Sequence, residues 1–289
     1  MHIDRTAEVW EYDNSFYGFL TIVDKAFRLK KFPGSICTPE TSALSLFFSE
    51  WIETNEPQAE KIHRRLRQLL TAENFQFFQD GFNATVENKE LQLLETLEVA
   101  LRTKDSLTNH IGHPSILAVQ RGIKAMLGEA HLYTGFVRFE YAGKILFSEI
   151  TPKHFSLPYI CPHFAERYPL ETIVIYDTTH RLLALIEQGR ISFIENTDNP
   201  NLSNTREEEE LIQHQWQSFL QAVTIQERAN KKCQMNHLPL RFRDKMVDFR
   251  HSDKLSTTAQ TSQKLTSMKK TKESSPSKNN VLPFQRESG

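Results

Sequence analysis

The sequence predicts an α+β protein: a helical N-terminal half packed on an antiparallel sheet of about five or six strands, followed by a C-terminal helix. Two observations carry this. Apolar residues recur at steps of three and four through residues 1–134, and the period drops to two over residues 135–196. A third narrows it: no β-α-β alternation, GxGxxG or GxxxxGK[ST] is found, so Rossmann and P-loop readings have no support.

Taken in order, "EVWEYD" reads as a short strand. "DNSFYGFLTIVDKAFRLKK" is a helix with Phe16, Phe19, Leu20, Val23, Ala26 and Phe27 on one stripe, capped by Asp13, Asn14 or Ser15 and ended by Pro33-Gly34. "TSALSLFFSEWIETN" is ambiguous and read as extended. "EPQAEKIHRRLRQLL" is a second helix with Ile62, Leu66, Leu69 and Leu70 inward. "ENFQFFQDGFNA" and "NKELQLLETLEVALRTK" give two more, and "HPSILAVQRGIKAMLGEAHLY" the longest, with Pro114 in its first turn. "GFVRFEYAGKILFSEIT" alternates from Phe136 onward and turns at Ala142-Gly143, a β-hairpin. "ETIVIYDTTHRLLALIEQGRISFIEN" gives three short strands with turns near Thr178-Thr179 and Gln188-Gly189, and between the two groups "PHFAERY" is a short helix. The acidic run Glu207–Glu210 opens a last helix, where carboxylates meet the positive end of the dipole. Residues 1–249 are thus read as one domain, with helices over 205–249 and a disordered basic tail at 250–289.

The net charge of −1 hides a division. From Ile225 onward 14 Lys and Arg face 6 Asp and Glu, which leaves 21 against 30 before it. A basic C-terminal third on an acidic body suits phosphate backbones, although a solvated basic tail explains it equally well. Cys37, Cys161 and Cys233 are widely spaced and odd in number, which fits a reducing cytoplasm and argues against a thiolate zinc site. No apolar run reaches membrane-spanning length and the N-terminus does not read as a secretory signal.

"EITPKHFSLPYICPHFAERYP" is where side-chain chemistry would gather. His154 follows a strand, His163 follows Pro162 at a helix start, and Arg167 comes one turn later. Three readings compete. The histidines could move protons with Asp177 or Glu129 orienting a ring. They could bind a metal with Glu149 or Asp177, although the spacing matches no compact metal signature. Or they are packed, hydrogen-bonded structural groups, which the residues alone favour. Cys161 has apolar flanks and reads as a small core residue. No motif asks for a cofactor.

"IQERANKKCQMNHLPLRFRDKM" interleaves Arg228, Lys231, Lys232, Arg241 and Arg243 with Asn230 and Phe242, the makings of a phosphate-tracking surface. The bland alternative is a basic helix terminus and a solvated turn. Ala43–Phe47, "ALSLF", has part of a sliding-clamp peptide but lacks the leading Gln, and reads more simply as residues packed inward.

The ordered segments "YDNSFYGFL", "GEAHLYTGFVRFE", "ITPKHFSLPYICPHFAERYP", "IVIYDTTHRLLAL" and "FLQAVTIQERANKKCQMNHLPLRFRDKM" resemble a bacterial family of unknown biochemical activity assigned to DNA metabolism or DNA repair. The likeness runs from Val9 to Phe249. Its members sit beside a radical-SAM protein of DNA modification or repair, and related domains are fused to uracil-DNA glycosylase-like domains. The resemblance therefore implies DNA, a radical-SAM protein and a glycosylase-like protein as partners. Its recurrent positions fall on Tyr12, Asp13, Gly18, Glu129, His154, His163, Asp177, Arg228, Asn230 and Arg241 among others, and add Arg138, Arg167 and Arg181 to the candidate DNA contacts. Three functions follow as expectations. The first is a DNA-repair accessory protein that binds DNA and the radical-SAM partner. The second is an enzyme on damaged DNA or a nucleobase, with His163 as acid/base, His154 and Glu129 nearby, Asp177 as orienter and Arg138 as anion clamp. The third is an interaction scaffold without DNA affinity.

Overall fold

A computed structural model describes residues 4–42 and 49–195, and beyond them 215–216, 218–219, 222–223, 238, 240–243 and 246. The chain divides into two compact units, Met1–Asn204 and Thr205–Gly289. The first carries nearly all of the described architecture, and everything below concerns it unless stated.

Its elements run β1 (Asp4–Arg5), β2 (Val9–Glu11), α1 (Phe16–Leu29), β3 (Lys31–Phe32), β4 (Ser35–Cys37), α2 (Pro39–Ser42), β5 (Ser49–Trp51), α3 (Glu56–Leu69), α4 (Ala72–Asn83), α5 (Lys89–Thr103) and α6 (Pro114–Phe136). The sheet region follows as β6 (Glu140–Ala142), β7 (Ile145–Ile150), α7 (Leu157–Arg167), β8 (Thr172–Asp177), β9 (Leu182–Glu187) and β10 (Arg190–Ile194). The α+β class is as the periodicity implies.

Helix α1 shows how local chemistry sets the ends. The Ser15 hydroxyl accepts from the Gly18 amide (2.9 Å), and Lys30 closes the helix in a left-handed conformation at φ 55°. Its stripe of Phe19, Leu20, Ile22, Val23 and Ala26 is buried in one core with Ile62 and Leu66 of α3, Phe75 and Phe78 of α4, and Leu93, Leu94 and Leu97 of α5. Phe19 stacks on Phe78 (5.8 Å) and Phe82 (5.5 Å) within it. Leu70 is buried as the stripe predicts, but Leu69 is 53% exposed, because α3 ends at that residue and the chain turns away.

The main sheet has the order β10-β9-β8-β7-β6. Three of its neighbours pair antiparallel, but β7 and β8 run parallel, with Ile145 beside Thr172 and Ile150 beside Asp177. The sheet is therefore mixed where an antiparallel one is expected, and β7-α7-β8 forms a β-α-β unit in a sequence read as lacking β-α-β alternation. Helix α7 is long enough to return the chain to the starting edge, so the strand after it enters in the same direction. That helix begins at Leu157, with Pro158 in its first turn, and runs through Pro162 instead of starting after it. Pro162 is on an exposed position, where the carbonyl it leaves without a donor can meet water. The expected first strand also shifts: α6 continues through Phe136, so residues 136–138 are not extended partners of the hairpin. β9 and β10 are joined by Gln188 and Gly189, both at positive φ (50° and 75°), the two-residue turn whose twist matches the strands.

Away from this sheet, β2 pairs parallel with both β4 and β5, and β1 with β3. These short ladders lead into Asp13, Asn14, Ser15 and Phe16, which line a cleft.

Candidate functional site

The cleft has a volume of ≈ 1890 Å³ and gathers residues far apart in the chain. The N-terminus of α1 supplies Asp13, Asn14, Ser15 and Phe16. The end of α4 and the start of α5 supply Phe82, Asn83, Asn88, Lys89 and Glu90. Phe155 and the β8–β9 turn, with Thr179, His180 and Arg181, close it.

At the α1 side, Asp13 accepts from the Ser15 amide (3.0 Å), the Ser15 hydroxyl (2.7 Å) and the Thr54 hydroxyl (2.8 Å). Burial alone would push its carboxyl up, but these hydrogen bonds outweigh that and hold it below the usual carboxylate range. Gly18 leaves room for this arrangement: a Cβ would come within 2.2 Å of Asp13 Oδ1 and 2.8 Å of Thr54 Oγ1, and both side chains would have to shift. Because the folded Asp13 binds its proton more weakly than the unfolded one, its stabilising effect is present above the unfolded value of 3.8 and fades as pH falls through the folded value. In Asp13→Asn this acid-side loss should flatten, which thermal unfolding between pH 5 and 2 measures; an unchanged acid limb would remove Asp13 from the account (pH range of about 2–5 from the carboxylate scale).

At the α5 side, Tyr12 donates to Glu90 Oε1 (2.7 Å), with Lys89 Nζ 3.7 Å from the same oxygen and 4.4 Å from the Phe82 ring centre. Burial, then the Glu90 charge, raises the Tyr12 phenol, so it remains a donor. Burial lowers Lys89 against the opposing pull of Glu90.

The β8–β9 turn holds the arrangement with most chemical potential. Asp177 is 0% exposed. Its Oδ1 accepts from the Thr179 (2.9 Å) and His180 (3.0 Å) amides, and its Oδ2 lies 2.6 Å from His180 Nδ1. With Oδ1 taken by the two amides, Oδ2 is the acceptor that this contact assigns to an Nδ1–H. Phe155 packs edge-on against the same imidazole at 5.3 Å. His180 Nε2 makes no hydrogen bond among the described residues, and the ring lines the cleft.

The residues singled out from the sequence separate into groups. Asp177 orients a histidine, but that histidine is His180; no described contact joins it to His163. His154 is 5% exposed; its Nδ1 accepts from the Thr85 amide (2.9 Å), behind the cleft wall. Glu129, 2% exposed, accepts from the amides of Lys153 (3.1 Å) and His154 (2.9 Å) and from Ser156 Oγ (2.8 Å). Those two therefore hold the loop after β7 in place. His163 stands inside α7 against Phe164 (5.1 Å), which meets Phe139 (4.9 Å); its Nε2 is buried without a hydrogen-bond partner. Arg167 is next to the Tyr168 ring at 5.6 Å. Arg138 donates to the Gly135 (3.1 Å) and Val137 (3.2 Å) carbonyls. Among the described arginines named for DNA, Arg181 lines the cleft, in the left-handed region at φ 53°, and Arg138, Arg167 and Arg243 do not. Arg243, in the second unit, donates twice to the Leu238 carbonyl (3.2 and 3.1 Å). Arg228, Asn230, Lys231, Lys232, the "ALSLF" segment and the basic tail lie outside the described residues, as does the Arg241 side chain.

Burial pushes the Cys161 thiol up to about 12, which suits its reading as a packed core residue. Among the described residues no cluster of three or more His, Cys, Asp or Glu could hold a metal ion, and no helix is long and apolar enough to cross a membrane. What sequence reasoning missed is His180. Its signal was the spacing D-T-T-H between two strands, where an Asp at a strand end can cap the turn and catch the ring three residues on.

Fold and cleft together define an α+β protein with an open, polar and aromatic cavity lined by described residues. The chain belongs to the family of the domain of unknown function DUF4130, whose family model matches residues 87–248. That match takes in the α5, Phe155 and His180 sides of the cleft, while Asp13–Phe16 lie before it. No curated protein and no solved structure matches the chain.

Proposed function

We propose that this protein is a cytoplasmic component of DNA repair or DNA metabolism that binds DNA and works beside a radical-SAM partner. The observation that carries the reading is the division of charge: 14 Lys and Arg against 6 Asp and Glu from Ile225 onward, on a body with 21 against 30. Such a basic segment supplies phosphate affinity without sequence preference, and the acidic body confines DNA to that end. The resemblance of the ordered segments between Val9 and Phe249 to a DNA-repair family supports the same context.

Fluorescence anisotropy with labelled duplex and single-stranded DNA across a salt series tests it. The affinity should fall steeply with salt, and Lys231→Ala with Lys232→Ala should lower the slope of log K against log salt by about 2. Binding that ignores both salt and these substitutions would overturn DNA contact through this segment. Co-purification of the radical-SAM protein at high salt, where DNA bridging is lost, tests the partner separately.

A further inference from the structure

We infer that the cleft of the first unit binds an uncharged nucleobase or nucleoside, with His180 as its reading group, rather than a phosphate or the DNA backbone. The choice of a nucleobase among planar heteroaromatics rests on the nucleic-acid reading above; the exclusion of phosphate does not.

Charge excludes the backbone. The cleft lining holds five carboxylates against two cations, Lys89 and Arg181. Lys89 is held by Glu90 at 3.7 Å and is not a loose phosphate ligand. Asp13 is occupied by Ser15 and Thr54, so it does not call for a ligand amine. The remaining acids, Glu56, Glu60 and Glu195, are exposed at the rim, where they repel a phosphate and are screened from anything deeper.

Shape and hydrogen bonding select the occupant. Phe16, Phe82 and Phe155 are half-buried and line the cavity, which suits a flat ring. The carboxamides of Asn14 and Asn88 lie on the same lining, and an amide presents the paired donor and acceptor that a base edge complements; Asn83 beside them gives an Nδ2 hydrogen to Tyr159 Oη (3.0 Å). His180 adds a fixed direction. Asp177 holds Nδ1 at 2.6 Å and Phe155 abuts the ring, so the edge that carries Nε2 is fixed in one orientation. A ring nitrogen held this way discriminates bases by the hydrogen-bonding groups on their edges. The volume, ≈ 1890 Å³, exceeds the 300–1,000 Å³ or so of a small-ligand site, so a whole nucleoside fits without closure of the cleft.

The test is calorimetric titration of the full chain with the four common nucleosides and uracil, each set beside its 5′-monophosphate at low salt. At least one base or nucleoside should bind, about fivefold or more tighter than its monophosphate, and His180→Gln should weaken it about tenfold, the loss of one directed hydrogen bond. Phe82→Leu should weaken all ligands together, and circular dichroism should show both variants folded. No binding of any base, tighter binding of the monophosphates, or indifference to both substitutions in folded protein would overturn the inference. The two readings fail separately: DNA affinity that disappears with Lys231→Ala and Lys232→Ala while nucleosides still bind concerns the basic segment alone. Retained salt-dependent DNA affinity with no nucleoside binding sinks only the cleft.

Discussion

Replacing Glu129 by alanine is expected to destabilise the first unit by about 3–5 kcal/mol, seen as a lower urea midpoint at unchanged slope. The carboxylate is 2% exposed and accepts from two backbone amides and a serine hydroxyl, all in the six residues between β7 and α7. Removing it leaves buried donors with no acceptor and a cavity too polar to collapse. Glu129→Gln keeps one acceptor but turns an NH2 toward an amide hydrogen, so about 2 kcal/mol should be lost. Because the same loop carries His154, whose ring receives the Thr85 amide, and Phe155, which braces His180, the alanine variant should also weaken ligand binding in the cleft. An alanine variant within about 0.5 kcal/mol of the native protein would show that this loop is not held by Glu129 at all.

The parts of this molecule that were legible in the sequence are those where one periodicity acts alone. α1 and α3 each carry an apolar stripe and a capping side chain, α5 and α6 carry a stripe, and the strands β8, β9 and β10 are apolar runs set between clear turn residues. Parallel pairing of β7 with β8 was not legible, because direction is decided by how far α7 carries the chain, not by anything in either strand. The helix start at Leu157 was obscured by Pro162, which usually begins a helix and here sits within one. His154 was visible as a polar residue at a strand end but not as a buried acceptor for Thr85, since that contact spans 69 positions. The cleft was illegible for the same reason. Asp13, Lys89 and His180 meet only after α1, α4 and α5 pack and the β8–β9 turn folds toward them, and no local pattern records a meeting of distant segments. Asp177 with His180, by contrast, is a contact three residues long, and so lay within reach of the sequence.

Phe19→Ala should cost the first unit a similar amount, about 3–5 kcal/mol, and through it the cleft wall. Phe19 is 0% exposed and lies between the rings of Phe78 and Phe82, inclined at only 24° and 21° to them. Its loss removes both the buried area and the stack, and leaves a void that rigid helices on all sides cannot fill. Phe82 then loses its inner neighbour while its other partners, Phe16 at 5.1 Å and Lys89 at 4.4 Å, remain. Phe19→Leu separates the two contributions. It retains most of the volume and forfeits the ring contacts, so about 1–1.5 kcal/mol should be lost to chemical denaturation. If the leucine variant keeps near-native stability yet binds nucleosides more weakly, the stack orients Phe82 for the cleft. If both properties fall in the same proportion from leucine to alanine, the stack serves the core, and Phe82 meets the ligand through packing shared with the rest of α4.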